Sequence, residues 1–158
     1  DTDMLNPVYV NSSENFTSVS GGGYHTCGRL VNGSLMCWGR NNNGQIGNGY
    51  EDTDMLNPVY VNSSENFTSV SAGGYHTCGR LVNGSLMCWG SNSGQLGDGT
   101  YTDSNNPINV NSSENFTSVS GGRAHTCGRL VNGSLMCWGE NYDGRVGTFA
   151  NPLGVDCI

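Results

Sequence analysis

The sequence predicts an all-β chain of three tandem units, each built from four short strands, and three observations carry that expectation. One block of about 50 residues is written three times over, a period that belongs to repeat architectures. Each copy holds short β-prone runs separated by Gly- and Asn-rich turns. Hydrophobic residues make up only 35% of the chain while glycine alone numbers 25, which leaves too little apolar surface for long amphipathic helices.

The repetition is nearly literal. Asp1 to Ser20 returns letter for letter as Asp52 to Ser71, and His25 to Gly39 returns unchanged as His76 to Gly90 and as His125 to Gly139. The spacing is 51 residues from Cys27 to Cys78 and 49 from Cys78 to Cys127. The two-residue deletion falls between Gly99 and Pro107, so that stretch reads as a loop. The units are accordingly 1–51, 52–102 and 103–158, the last with a C-terminal tail.

Within the first copy, Val8-Tyr9-Val10 follows Pro7, which opens a strand but does not sit centrally in one. Phe16 to Val19 is a second β-prone run. His25 to Leu30 and Leu35 to Trp38 flank Val31-Asn32-Gly33-Ser34, whose Asn-Gly pair tolerates positive φ and marks a hairpin. Gly21-Gly22-Gly23 and the run from Asn41 to Gly49 are tight connections. Four short strands are the content of one propeller blade.

Ser-Val-Ser-Gly-Gly, His-Thr-Cys, Gly-Ser-Leu-Met-Cys-Trp-Gly and Asn-x-x-Gly-Gln-Leu/Ile-Gly-x-Gly together resemble the repeat of the regulator of chromosome condensation family, and the resemblance runs through all three copies. It implies a β-propeller-type fold, each repeat supplying one four-stranded blade, with seven blades commonly closing a ring. It leaves function open, because the family includes nuclear exchange factors, secreted enzyme inhibitors and modules of large extracellular proteins. Three blades do not close a ring, since propellers use about 4 to 8. The blades are therefore expected to remain open or to be completed by copies of the chain or by further repeats of a longer one.

Six of the seven cysteines form pairs ten residues apart: Cys27/Cys37, Cys78/Cys88 and Cys127/Cys137. A two-residue loop at Asn32-Gly33 sets Cys27 against Trp38. A three-residue loop with Gly33 in the left-handed position sets Leu30 against Ser34 and Cys27 against Cys37, within disulfide reach. The same register puts Gly28 opposite Met36 and predicts that the Trp38 indole lies over the space beside Gly28. Buried free thiols are the plainer alternative, disfavoured by two facing cysteines per repeat in an acidic, Asn- and Ser-rich chain. A zinc site fits poorly, since the spacing lacks the Cys-x₂₋₄-Cys knuckle. Cys157 has no repeat partner; it bonds a segment elsewhere or another chain, or it sits in an unstructured tail.

Each repeat carries three N-glycosylation sequons, at Asn11, Asn15 and Asn32, then Asn62, Asn66 and Asn83, then Asn111, Asn115 and Asn132. Asn32 stands at a hairpin tip, where a glycan projects into solvent. N-linked glycans and an extracellular or cell-surface setting are expected.

The charge balance narrows the partners. Thirteen acidic residues face six basic ones, all arginine, for a net charge of -7, which repels phosphate and anionic lipid and argues against nucleic acid. No apolar run approaches the roughly 20 residues that span a bilayer, so no membrane insertion is expected. The first residues lack a signal-peptide pattern, and the chain reads as mature or excised. His25, His76 and His125 each precede a threonine with no acidic neighbour in their own repeat, and read as structural rather than catalytic. Asn141-Tyr142-Asp143-Gly144 and Asp98-Gly99 lack the spaced acids of a calcium loop and read as turns. No catalytic residue, metal or cofactor is expected.

These readings converge on a non-enzymatic extracellular structural glycoprotein whose blades associate into a propeller, array or filament. A secreted binding module, lectin-like or enzyme-inhibiting, working through rim loops is the alternative. Guanine-nucleotide exchange, which the family resemblance also implies, is disfavoured by the acidic balance and the cysteine pairs.

Overall fold

A computed structural model describes residues 3–147. Among them the chain forms eleven strands in three antiparallel sheets. The first sheet runs β1 (Phe16–Gly21), β2 (His25–Leu30), β3 (Leu35–Gly39), β4 (Met55–Tyr60), with spatial order equal to chain order. The second repeats it with β5 (Phe67–Ala72), β6 (His76–Leu81), β7 (Leu86–Gly90) and β8 (Ser104–Asn109). The third holds β9 (Phe116–Gly121), β10 (His125–Leu130) and β11 (Leu135–Gly139).

The central hairpin takes the three-residue loop. The Leu30 amide donates to the Ser34 carbonyl at 2.9 Å and the Gly33 amide to the Leu30 carbonyl at 3.0 Å. Gly33 has φ of 87°, a left-handed conformation that a side chain would strain. Asn32 Oδ1 accepts the Ser34 amide at 2.9 Å and braces the turn. The resulting register sets Cys27 against Cys37 and Gly28 against Met36.

Three expectations need correction. Residues Val8 to Val10 are in no strand. In the second copy the strand begins four residues before the equivalent Val59, at Met55, and pairs with β3 of the repeat before it. The blade is thus offset from the sequence repeat, its outer strand being lent by the next copy past residue 51. Pro58 lies inside that outer strand, where the register breaks between the Cys37–Val59 and Gly39–Met55 pairs and no ladder donor is required of it. The stretch read as loop from Gly99 to Pro107 is already strand from Ser104 onward, because β8 is the same lent element.

The third correction concerns the tryptophans. The space beside Gly28 holds the Phe16 ring: a Cβ built on Gly28 falls 2.4 Å from Phe16 Cδ1. Phe16 meets Trp38 at a centroid distance of 5.9 Å with the rings tilted by 58°. A bulge at Thr17 makes this packing possible, and the bulged threonine is satisfied by donating to the Arg29 carbonyl and accepting from the Arg29 guanidinium at 3.0 Å. In the fully covered second blade, Gly79→Ala drives a methyl into the buried Phe67 ring. A loss of roughly 1–3 kcal/mol is expected in urea unfolding, and a variant as stable as the parent removes this account of the glycine.

Most of the core lies between sheets. The largest cluster joins Cys27, Leu35 and Cys37 of the first blade to Phe67, Leu81 and Trp89 of the second. A smaller cluster, Cys78, Cys88 and Leu96, lies within the second repeat with Val119 of the third packed against it, so each blade's own core is small and is completed by leaning on its neighbour.

Candidate functional site: the seam between blades

The repeated residues converge on the seam. Each hairpin is bridged, Cys27 to Cys37, Cys78 to Cys88 and Cys127 to Cys137, with Cα atoms 4.1 Å apart in every case. The first two bridges are fully buried by the following blade. Cys157 lies outside the described residues.

Beside each buried disulfide runs a chain of hydrogen bonds that crosses from blade to blade. The Thr77 hydroxyl donates to the backbone carbonyl of Gln45 at 2.7 Å. That donation uses its one proton, so the 2.7 Å contact with His25 Nε2 has the imidazole donating. The arrangement recurs one blade on, with the Thr126 hydroxyl donating to the Gln95 carbonyl at 2.8 Å and His76 Nε2 donating to Thr126 at 2.8 Å. Burial pushes His25 down to about 4, and His76 to about 4 with like-charge repulsion from His25 and His125 adding to burial. Both imidazoles are therefore neutral at pH 7, with Nδ1 facing no protein partner. They tie one blade to the next and have the ionisation of structural groups.

The tryptophans complete the seam. A Cβ on Gly47 falls 2.4 Å from Trp89 Nε1, and one on Gly97 falls 2.6 Å from Trp138 Nε1. The turn of one blade thereby forms a seat, made by a left-handed glycine, for the indole of the next. Trp138 also donates to the Gln95 carbonyl at 2.9 Å. Trp89 is fully buried in this seat, and Trp89→Ala is expected to cost about 3–5 kcal/mol by chemical denaturation. Trp38, half-buried with no described blade before it, is expected to cost less than half as much. Equal losses at the two positions contradict a seam-based core.

Sequence reasoning located the cysteines and the hairpin register but not Thr77, Thr126, Gln45 or Gln95. The available signal was the Gly-Gln-Ile/Leu-Gly string of the first two copies, whose glycines read only as turn residues. The nine sequon asparagines all lie exposed, Asn32, Asn83 and Asn132 at hairpin tips. Asp98 accepts from Thr100 and Asn92 in a tight turn, and Asp143 pairs with Arg145 at 2.6 Å. Among the described residues no three His, Cys, Asp or Glu side chains gather as metal ligands.

The sequence pattern described as "Regulator of chromosome condensation (RCC1) repeat" matches residues 32–79 and 83–128, and a second pattern of the same description matches 16–45, 67–95 and 116–145. Human "Probable E3 ubiquitin-protein ligase HERC3" is 34% identical over 89 residues, 54% of this chain and 8% of that protein. The chain spans 5 to 8% of the length of the first curated relatives it matches. Among solved structures, human WBSCR16 aligns with a TM-score of 0.76 over 86% of this chain and 37% of that one, at 21% identity, a likeness of fold alone. The ectodomain of the Physcomitrella patens receptor kinase CR4 aligns with a TM-score of 0.59 at 30% identity, over 84% of this chain and 31% of that one.

Proposed function

Since the chain belongs to the regulator of chromosome condensation repeat family, we propose that it is a non-enzymatic extracellular repeat module whose blade faces bind like blades, in a propeller, an array or a filament. One observation carries this reading. The residues copied without change serve the seam: the histidine–threonine bond and the seated tryptophan join one copy to the next, and the disulfide that staples each hairpin lies beside them.

The bridged hairpins support an oxidising compartment, as does the likeness to a receptor ectodomain. The exposed sequons fit a glycoprotein. Ubiquitin ligation is not carried over from HERC3, of which this chain matches 8%. The test is the chain secreted from a eukaryotic host. Expected are protected cysteines in non-reducing peptide maps, a mass drop on enzymatic removal of N-glycans, and ordered multimers by electron microscopy. Free thiols at Cys27 and Cys37 together with an unglycosylated chain overturn the reading.

A secreted binding module is the second reading, favoured by a groove of about 470 Å³ along the glycine-rich ends of β1, β5 and β9. Tyr24 and Tyr75 meet there at 5.0 Å between centroids, with the Arg40 guanidinium 5.3 Å from the Tyr24 ring. Discrete particles that capture a soluble glycan or protein, and lose it on Tyr24→Ala, select this reading over the structural one.

A further inference from the structure

We infer that the groove along the glycine-rich ends of β1, β5 and β9 takes an extended, carboxylate-bearing segment of another protein, held by Arg40 and Arg123 over the Tyr24–Tyr75 pair. This rests on the second reading above and names its ligand by chemical class.

The copies differ where the groove lies. Phe16–Gly39, Phe67–Gly90 and Phe116–Gly139 share every letter except at three places: Gly21, Ala72 and Gly121; Gly23, Gly74 and Arg123; Tyr24, Tyr75 and Ala124. Residues from each of these places line the groove. The residue after the hairpin differs too, as Arg40, Ser91 and Glu140, and its amide donates to the carbonyl of Tyr24, Tyr75 or Ala124 at 2.9 Å in each blade. The seam is the same in every copy because every copy makes the same contact there. A single ligand lying across several blades asks something different of each, and the variation in this stretch is gathered on that one rim. The unvaried glycine of the floor has a structural reason. A Cβ on Gly73 falls 2.5 Å from His76 Cε1, so an imidazole of the seam lies directly beneath it.

The residues that vary form an aromatic and cationic strip. The Arg40 guanidinium lies 5.3 Å from the Tyr24 ring centre, and the Tyr24 and Tyr75 rings meet at 5.0 Å. Tyr75 is pulled below the ordinary tyrosine value, first by a hydrogen bond from Tyr24 and then by the charges of Arg123 and Arg40, so both guanidiniums are felt at this pair. Tyr24 is 51% exposed, and Tyr75 is only half-buried although a blade stands on each side of it. Among the described residues neither guanidinium takes part in an ion pair, while Glu140, the counterpart of Arg40, is held by Arg145 at 3.8 Å. A guanidinium fork fits a carboxylate, and two left unpaired in a chain of net charge -7 mark where an acid is accepted. The same net charge repels a dense polyanion, which favours isolated carboxylates over a phosphate or sulfate polymer. Tyrosine and arginine are the side chains that most often carry protein-binding energy, and a groove that crosses three blades suits an extended main chain better than a compact molecule.

The test is a nuclear magnetic resonance titration of the oxidised full chain with a short peptide of alternating glutamate and serine, and with the same peptide carrying glutamine for glutamate. Shifts of the Tyr24 and Tyr75 ring resonances by the glutamate peptide alone are expected. Arg40→Gln with Arg123→Gln is expected to weaken binding at least about tenfold. The urea midpoint of that variant is expected to stay unchanged, since both side chains are exposed. A lowered midpoint with unchanged binding makes the strip a brace of the seam and overturns the inference. Equal response to the glutamine peptide overturns the acidic ligand and leaves a groove for protein segments. Response to an oligogalacturonate but not to the peptide overturns the protein segment and leaves a sugar-binding groove. No response at these rings to any of the probes overturns the inference as a whole, and the second reading then stands or falls on the capture lost in Tyr24→Ala.

Discussion

Reduction of the three hairpin disulfides is expected to unfold the chain. Each bridge closes ten residues of sequence separation, worth about 2–3 kcal/mol by loop entropy, so together they supply roughly 6–9 kcal/mol. That approaches the entire stability of about 5–15 kcal/mol usual for a domain. It weighs more here because each blade's own core is small. The order of loss is also expected from burial. Cys127 and Cys137 are half-buried and Cys27, Cys37, Cys78 and Cys88 fully so, and the third bridge should therefore open first. Thermal melting followed by circular dichroism, with and without a phosphine reductant, tests the first point; timed alkylation with peptide mapping tests the second. Identical melting curves remove the bridges from the account of stability.

Acid is the second large lever. The folded chain holds His25 and His76 at about 4, against an unfolded value near 6.5. Between those values the unfolded chain binds more protons, so stability falls as pH falls. It is fully present above pH 6.5 and is lost progressively toward pH 4, by about 3 kcal/mol for each imidazole. The physical reason is visible at the seam. A proton arriving at Nδ1 creates a buried cation with no acceptor in the protein, while Nε2 is already committed to Thr77 or Thr126. Urea unfolding at pH 7 and pH 4.5 checks the slope, and imidazole resonances that stay neutral to about pH 4 check the cause. A flat profile across that range contradicts the buried relay.

The hairpin was legible because its instructions are local. Asn32-Gly33 admits one comfortable turn, and that turn sets which cysteine faces which within ten residues of chain. The outer strand was misread for the opposite reason. Val8 to Val10 has the composition of a strand, but a strand exists only where a partner edge meets it, and that edge belongs to the preceding repeat. The tryptophan went astray likewise: the bulge at Thr17 brings Phe16 over Gly28, and the seat for the indole is formed by a turn of another copy. Thr77 and Gln45 stand 32 residues apart, and nothing local links them.

The amino-acid order alone determined the all-β class, the repeat, the hairpin register and the pairing of cysteines, since each follows from backbone freedom and alternation over a few neighbouring residues. Which face is core was decided only by the tertiary structure. His25–Gly39 and His125–Gly139 are the same fifteen letters, yet the leucine at the same place is 2% exposed in one and 69% in the other. Burial is a property of what stands opposite, and identical segments differ when, among the described residues, a blade stands opposite one and none opposite the other.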